Sequence, residues 1–145
     1  MAEPLELERF LPYRLSVLSN RVSQKIADTY AERFGLAVTE WRVIAVLGRY
    51  PDLSAGAVAD RTAMDKVAVS RAVARLLERG LLLREVHGDD RRRSVLALSP
   101  EGLRVHALVA PLAMECEREL LAPLDGRERE ILARLLGKIG APYGV

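Results

Sequence analysis

From Ser54 to Gly102 the sequence reads as two short helices joined by a tight connection and followed directly by a two-stranded hairpin, an order that few folds accommodate. Ser54 precedes the first of these helices, Ala55 to Thr62, as an N-cap. Its hydroxyl can accept one of the backbone N–H groups that a first turn leaves without a partner. After a three-residue connection, Asp65 caps a second helix running from Lys66 to about Arg79. Gly80 follows, where a left-handed residue ends a helix at least cost. Helices joined so closely must cross, which is the geometry of a helix-turn-helix.

At about 100° per residue, the second helix gathers Val69, Ala72, Val73, Leu76 and Leu77 on one side. Val67, Arg71 and Ala74 point the other way, with Ser70 and Arg75 on the flanks and Lys66 at the exposed start. That outer face is small, polar and cationic. Short side chains let a helix approach a major groove, arginine pairs bidentately with guanine, and valine touches a thymine methyl. The candidate DNA contacts of the helix pair are therefore Ser54, Lys66, Val67, Ala68, Ser70, Arg71 and Arg75. An ordinary amphipathic surface helix would present a similar face, so the residues that follow weigh in the decision.

After Gly80 the hydrophobic period changes from helical to alternating. Leu81 to His87 and Ser94 to Ser99 are short apolar-rich runs, with Leu96 and Leu98 spaced as one face of a strand requires. Between them lies a hairpin tip with Asp90 followed by three arginines, Arg91, Arg92 and Arg93. Alone, such a run could be a solvated loop. Directly after a helix-turn-helix it becomes a wing able to enter a minor groove, whose negative potential attracts arginine. Asp90 can hold one of these arginines in place through a charge-assisted pair.

At this point the chain resembles the MarR-type winged-helix transcription regulators. The resemblance rests on Val69-Ser70-Arg71, on Leu76-Leu77-Glu78-Arg79-Gly80-Leu81, on the wing Asp90-Arg91-Arg92-Arg93 and on Leu96-Ala97-Leu98-Ser99-Pro100-Glu101-Gly102. Upstream it takes in Phe34-Gly35-Leu36-Ala37-Val38-Thr39-Glu40-Trp41-Arg42-Val43, so it spans nearly the whole length. It implies an obligate homodimer on double-stranded DNA, a recognition helix at Lys66 to Arg79, and a wing whose Asp-x-Arg element falls on Asp90 and Arg92. It also implies a ligand crevice between the dimerisation and DNA-binding regions, open to a small phenolic or aromatic effector. Repression is the family's commoner mode of action.

A chain of 145 residues is long enough for one domain with its own core. Half the residues are apolar and 29% are charged, which excludes disorder. The start of the chain is acidic and no apolar run approaches bilayer length, so the expected location is the cytoplasm. A net charge of +2 does not by itself announce nucleic acid. Its distribution is more informative: Ala59 to Arg93 holds nine Lys/Arg against six Asp/Glu, a local excess of three that exceeds the whole chain's. Cys116 has no partner for an intramolecular disulfide and reads as a packed helical residue. His87 and His106 are too few and too far apart for a metal site of ordinary spacing.

Flanking helices complete the plan. The first is expected from Pro12 to Phe34, with Leu15, Leu18, Val22, Ile26 and Tyr30 at helical spacing behind an apolar leader of Leu5, Leu7, Phe10 and Leu11. Thr39 is expected to cap a helix through Arg49, with Trp41, Ile44, Ala45 and Leu47 in its core and Trp41 as a possible wall of the crevice. Ser99 and Pro100 open a helix to about Leu121, with Pro111 expected to kink it. Asp125 and Glu128 have capping-box spacing ahead of a stripe of Ile131, Leu132, Leu135, Leu136 and Ile139. Leader and stripe lack an obvious burial site in one subunit, which points to a dimer seam. The expected fold is thus mainly α with a small antiparallel hairpin wing and about six helices. Its DNA-binding part spans 36–99, and its dimerisation part spans 1–34 and 100–145.

Two other classes fit the sequence less well. An enzyme would need a nucleophile–base pair, a phosphate-binding glycine loop or paired carboxylates in a pocket, and the sequence offers none of these. A winged-helix protein-interaction module would more often carry aromatic anchors than Arg71 and the Arg91–Arg93 tip.

Overall fold

Helix α1 (Leu11–Phe34) begins with a proline in its first turn, where the missing N–H deprives no carbonyl of a partner, and ends on Gly35 in the left-handed region. This computed structural model describes residues 3–86 and 94–145. Helix α2 (Val38–Arg49) starts earlier than the sequence predicts. Ala37 occupies its N-cap with no side-chain hydrogen bond, and Thr39 lies inside the first turn. Only Gly35, Leu36 and Ala37 separate the two helices and Leu36 is buried, so the chain enters helical geometry before Thr39 can reach a capping position. Helix α2 buries Glu40, Val43, Ile44 and Leu47, whereas Trp41 and Ala45 are only partly covered.

The central stretch follows its sequence signals closely. Ser54 Oγ accepts from the Ala57 N–H at the start of α3 (Ala55–Thr62), and Asp65 accepts from the Ala68 N–H at the start of α4 (Lys66–Glu78). Val69, Ala72, Val73 and Leu76 are buried and Leu77 is partly so, as the angular sorting requires. Gly80 takes φ +73°, and the Gly80 and Leu81 N–H groups donate back to the carbonyls of Leu77 and Leu76. This Schellman arrangement satisfies the helix end and drops Leu81 into the core.

Strands β1 (Leu82–Val86) and β2 (Ser94–Leu98) pair antiparallel with Leu82 opposite Leu98 and Val86 opposite Ser94. Both are slightly shorter than the runs read from sequence. Leu53, just before α3, adds a single bridge to Leu96, so the hairpin is fastened to the helix pair. Leu96 and Leu98 face the core together.

Helix α5 (Pro100–Leu121) is capped by Ser99, whose Oγ accepts from the Gly102 N–H at 3.0 Å and donates to the Gly80 carbonyl at 2.6 Å. It runs on past Pro111, which interrupts the hydrogen-bond ladder without ending the helix. Asp125 and Glu128 form the expected capping box of α6 (Gly126–Gly140). Six α-helices, one antiparallel hairpin and two short 3-10 turns, Leu7–Arg9 and Ala141–Tyr143, account for the regular structure of the described residues.

The core lies where α2, α3, α4 and the hairpin meet, closed by the end of α1 and the start of α5. Helix α6 buries none of its residues: Ile131, Leu132, Leu135, Leu136 and Ile139 are 37–51% exposed. Leu5, Leu7, Phe10, Leu11, Leu15 and Leu18 at the other end of the chain are also exposed.

Candidate nucleic-acid interface

Helix α4 presents a face built as the sequence pattern demands. Lys66, Val67, Ser70 and Arg71 are exposed, Val67 to 55%, on the side opposite Val69, Val73 and Leu76. Among the described residues no carboxylate lies within ion-pair distance of Lys66 or Arg71. The N-terminal end of α4 adds the positive end of the helix dipole to Lys66.

The remaining candidates sort differently. Ser54 Oγ is occupied as an acceptor by the Ala57 N–H at 3.1 Å, and its O–H donates to no acceptor among the described residues. Ala68 is half-buried and its N–H serves the Asp65 cap at 3.3 Å, so only its methyl group can meet a ligand. Arg75 turns aside: its Nε lies 3.3 Å from Oε1 of Glu40. Asp90, Arg91, Arg92 and Arg93 lie outside the described residues, as does His87. Strand β1, which leads to them, carries an exposed Arg84 that the sequence reading did not single out.

Glu40 was also missed. It stands in a run that otherwise reads as an ordinary amphipathic helix, and nothing in α2 itself announces that two arginines of α4 converge on it. Arg79 Nη1 is 3.6 Å from its second oxygen.

A cleft of about 90 Å³ opens on the other side of α2, lined by Ser23, Ile26, Tyr30, Val38, Trp41 and Arg42. Its aromatic wall continues outward, since Trp41 lies 5.8 Å from Tyr30 and 5.8 Å from His106 between ring centroids, both tilted. Tyr30 is fully buried, and its hydroxyl has no hydrogen-bond partner among the described residues. Burial pushes its phenol up to about 12, opposed in part by Arg42 and reinforced by Glu40, so it stays a neutral donor across the physiological range. Arg42 Nη2 donates to Ser23 Oγ at 2.7 Å and borders the same space. Cys116 is buried 3.9 Å from Thr29 Oγ1. Among the described residues there is no cluster of three or more His, Cys, Asp or Glu that could hold a metal, and no helix is long and apolar enough to cross a membrane.

A family model described as MarR family matches residues 34–93. Transcriptional regulator HosA of Escherichia coli is 27% identical over 104 residues, covering 72% of this chain and 77% of that protein. Among solved structures, a MarR/EmrR family transcriptional regulator from Acinetobacter sp. ADP1 superposes with a TM-score of 0.86 at 29% identity, covering 97% of this chain and 99% of that one. The PcaV transcriptional regulator from Streptomyces coelicolor, solved in complex with its natural ligand, gives 0.78 at 25% identity over 97% and 98% of the two chains.

Proposed function

The chain belongs to the MarR family of winged-helix transcriptional regulators, and from that premise we propose that it is a ligand-responsive repressor acting as a homodimer on a pseudo-palindromic operator. The observation that carries the DNA contact is the outer face of α4. Lys66, Val67, Ser70 and Arg71 stand exposed on a helix whose opposite side is locked into the core. Arg71 reads a base edge, Val67 meets a thymine methyl, and Lys66 and Ser54 hold phosphates. The wing arginines Arg91, Arg92 and Arg93, with Asp90 as their companion, supply contact to the neighbouring minor groove.

In this reading 36–99 is the DNA-binding part, and 1–34 with 100–145 forms the dimer seam. The support for the seam is a whole helix, α6, with an exposed apolar stripe, together with an exposed apolar leader. Two copies would bury these surfaces against each other, as obligate dimers do. The effector is a small aromatic or phenolic molecule in the cleft beside Trp41, where Arg42 offers a cation and the cleft, on widening to admit a ring, uncovers the buried and unpartnered Tyr30 hydroxyl as a donor.

The test is a fluorescence-anisotropy titration of duplex DNA recovered from genomic fragments by the protein itself. It is repeated at two salt concentrations, alongside a random duplex and sedimentation of the same sample. Tight, salt-dependent preference for the recovered duplex by a dimer supports the reading. Equal binding of both duplexes, or none, rejects it. Phenolic acids that release the DNA would support the effector assignment.

A further inference from the structure

Glu40 is 6% exposed on α2, with arginines of α4 on both of its oxygens. Its Oε1 receives Arg75 at 3.3 Å and its Oε2 faces Arg79 at 3.6 Å. The second distance is too long for a hydrogen bond, and Oε2 accepts none among the described residues, so charge attraction alone offsets its desolvation there. Arg79 has a further task. Its Nη2 donates to the Phe34 carbonyl at 2.7 Å and its Nη1 to the Gly35 carbonyl at 3.1 Å, groups that the end of α1 leaves without intrahelical donors.

One carboxylate therefore ties two successive turns of α4 to the joint between α1 and α2. A buried ion pair adds little net stability over a well-packed apolar replacement, so what it contributes here is a defined angle between helices. Arg75 is one turn beyond Arg71 on α4, and held by Glu40 it is drawn away from the outer face. The residues after Glu40 in sequence, Trp41 and Arg42, line the cleft.

We propose that Glu40 is a positioning residue for DNA reading: through Arg75 and Arg79 it sets the angle at which α4 presents Arg71, without touching DNA itself. The inference rests on the DNA-binding reading given above.

The probe is a duplex selected by the wild-type full-length chain from a random-sequence pool, compared with an unselected duplex. Glu40→Gln keeps the shape and removes the charge. It should weaken binding to the selected duplex about tenfold while changing the unselected one less than about twofold, with the salt dependence of both unaltered, because no phosphate contact is lost. Arg79→Gln should do the same, and the double variant should lose less than the sum of the two, since both changes break contacts of one linkage.

Three results overturn the proposal. One is an undiminished preference for the selected duplex. Another is full additivity of the two changes. The third is stronger binding to all DNA with a salt slope steeper by about one, which would make Glu40 a restraint on a phosphate-binding Arg75. Thermal unfolding accompanies each titration. Should Glu40→Gln not fold, Arg75→Gln and Arg79→Gln, both on half-exposed side chains, carry the same comparison. Failure of the wild-type chain to select any duplex would instead reject the DNA reading itself, before any variant is made.

Discussion

The carbonyl oxygen of Leu81 stands where a side chain at Gly102 would have to begin: a Cβ built there lies 2.1 Å from it. The oxygen cannot retreat easily, because it already accepts the Ser99 N–H at 3.0 Å. Gly102→Ala should therefore destabilise the fold by about 1–3 kcal/mol from overpacking, even though alanine gains roughly 1 kcal/mol of helix propensity over glycine. Urea unfolding measures this, and an unchanged or raised midpoint would show that the hairpin yields more easily than its hydrogen bonds indicate.

Arg71→Ala should cost about 1–3 kcal/mol on the selected operator and relax base choice at one position of each half-site, because it removes a base-edge contact. Its readout is the ratio of operator to random-duplex affinity. Equal loss on both would make Arg71 a phosphate contact rather than a reader.

Replacing Arg91, Arg92 and Arg93 together with glutamine should weaken binding to every sequence and lower the salt slope, with little change in base preference. These residues lie outside the described structure, so the expectation rests on their charge and their place in the chain. Titration across a salt series decides it.

Tyr30→Phe removes a buried hydroxyl that has no partner, so the free protein should become more stable by about 1 kcal/mol. The same change should blunt release of DNA by phenolic ligands. A pH signature accompanies it. Between the ordinary tyrosine value of 10 and about 12 the native state keeps a proton that the unfolded chain gives up. Wild-type stability should thus fall as pH rises through that window, and Tyr30→Phe should fall less. Parallel denaturation curves at high pH would contradict the burial assigned to this group.

Leu135→Asp combined with Ile139→Asp, or deletion of 2–11, should give monomer or aggregate and abolish tight operator binding while leaving every proposed DNA contact intact. Two recognition helices related by a two-fold axis read half-sites about 10 base pairs apart, and a lone subunit reads only one. Sedimentation and DNA titration of the same samples check this, and a stable monomer with undiminished affinity would remove the seam from the proposal.

Local signals were readable wherever the cause is local. The Ser54, Asp65 and Ser99 caps, the Asp125–Glu128 box and the break at Gly80 each depend on residues within a few positions, and the structure has them all. Thr39 failed as a cap because the connection before it is short and Leu36 is buried, a tertiary constraint no cap pattern contains. The Glu40–Arg75–Arg79 linkage was invisible for the same reason, since it joins residues on different helices whose crossing is not written in either. Arg75 accordingly reads in the sequence as a flanking cation open to DNA, whereas the structure pairs it with Glu40. Tyr30 was legible as apolar spacing, but the isolation of its hydroxyl depends on what packs around it.

Ser99 closes the account of how motion can travel. With its N–H on Leu81, its hydroxyl on Gly80 and its oxygen under the Gly102 N–H, one residue couples the exit of α4 to the entry of α5. A tilt of α5 would therefore be felt first at these three hydrogen bonds, at the end of α4 and at Leu81, the residue that leads into β1. Were those bonds kept, a shift of α4 relative to the far end of α5 would fall along the length of α5 or at the three-residue joint between α1 and α2.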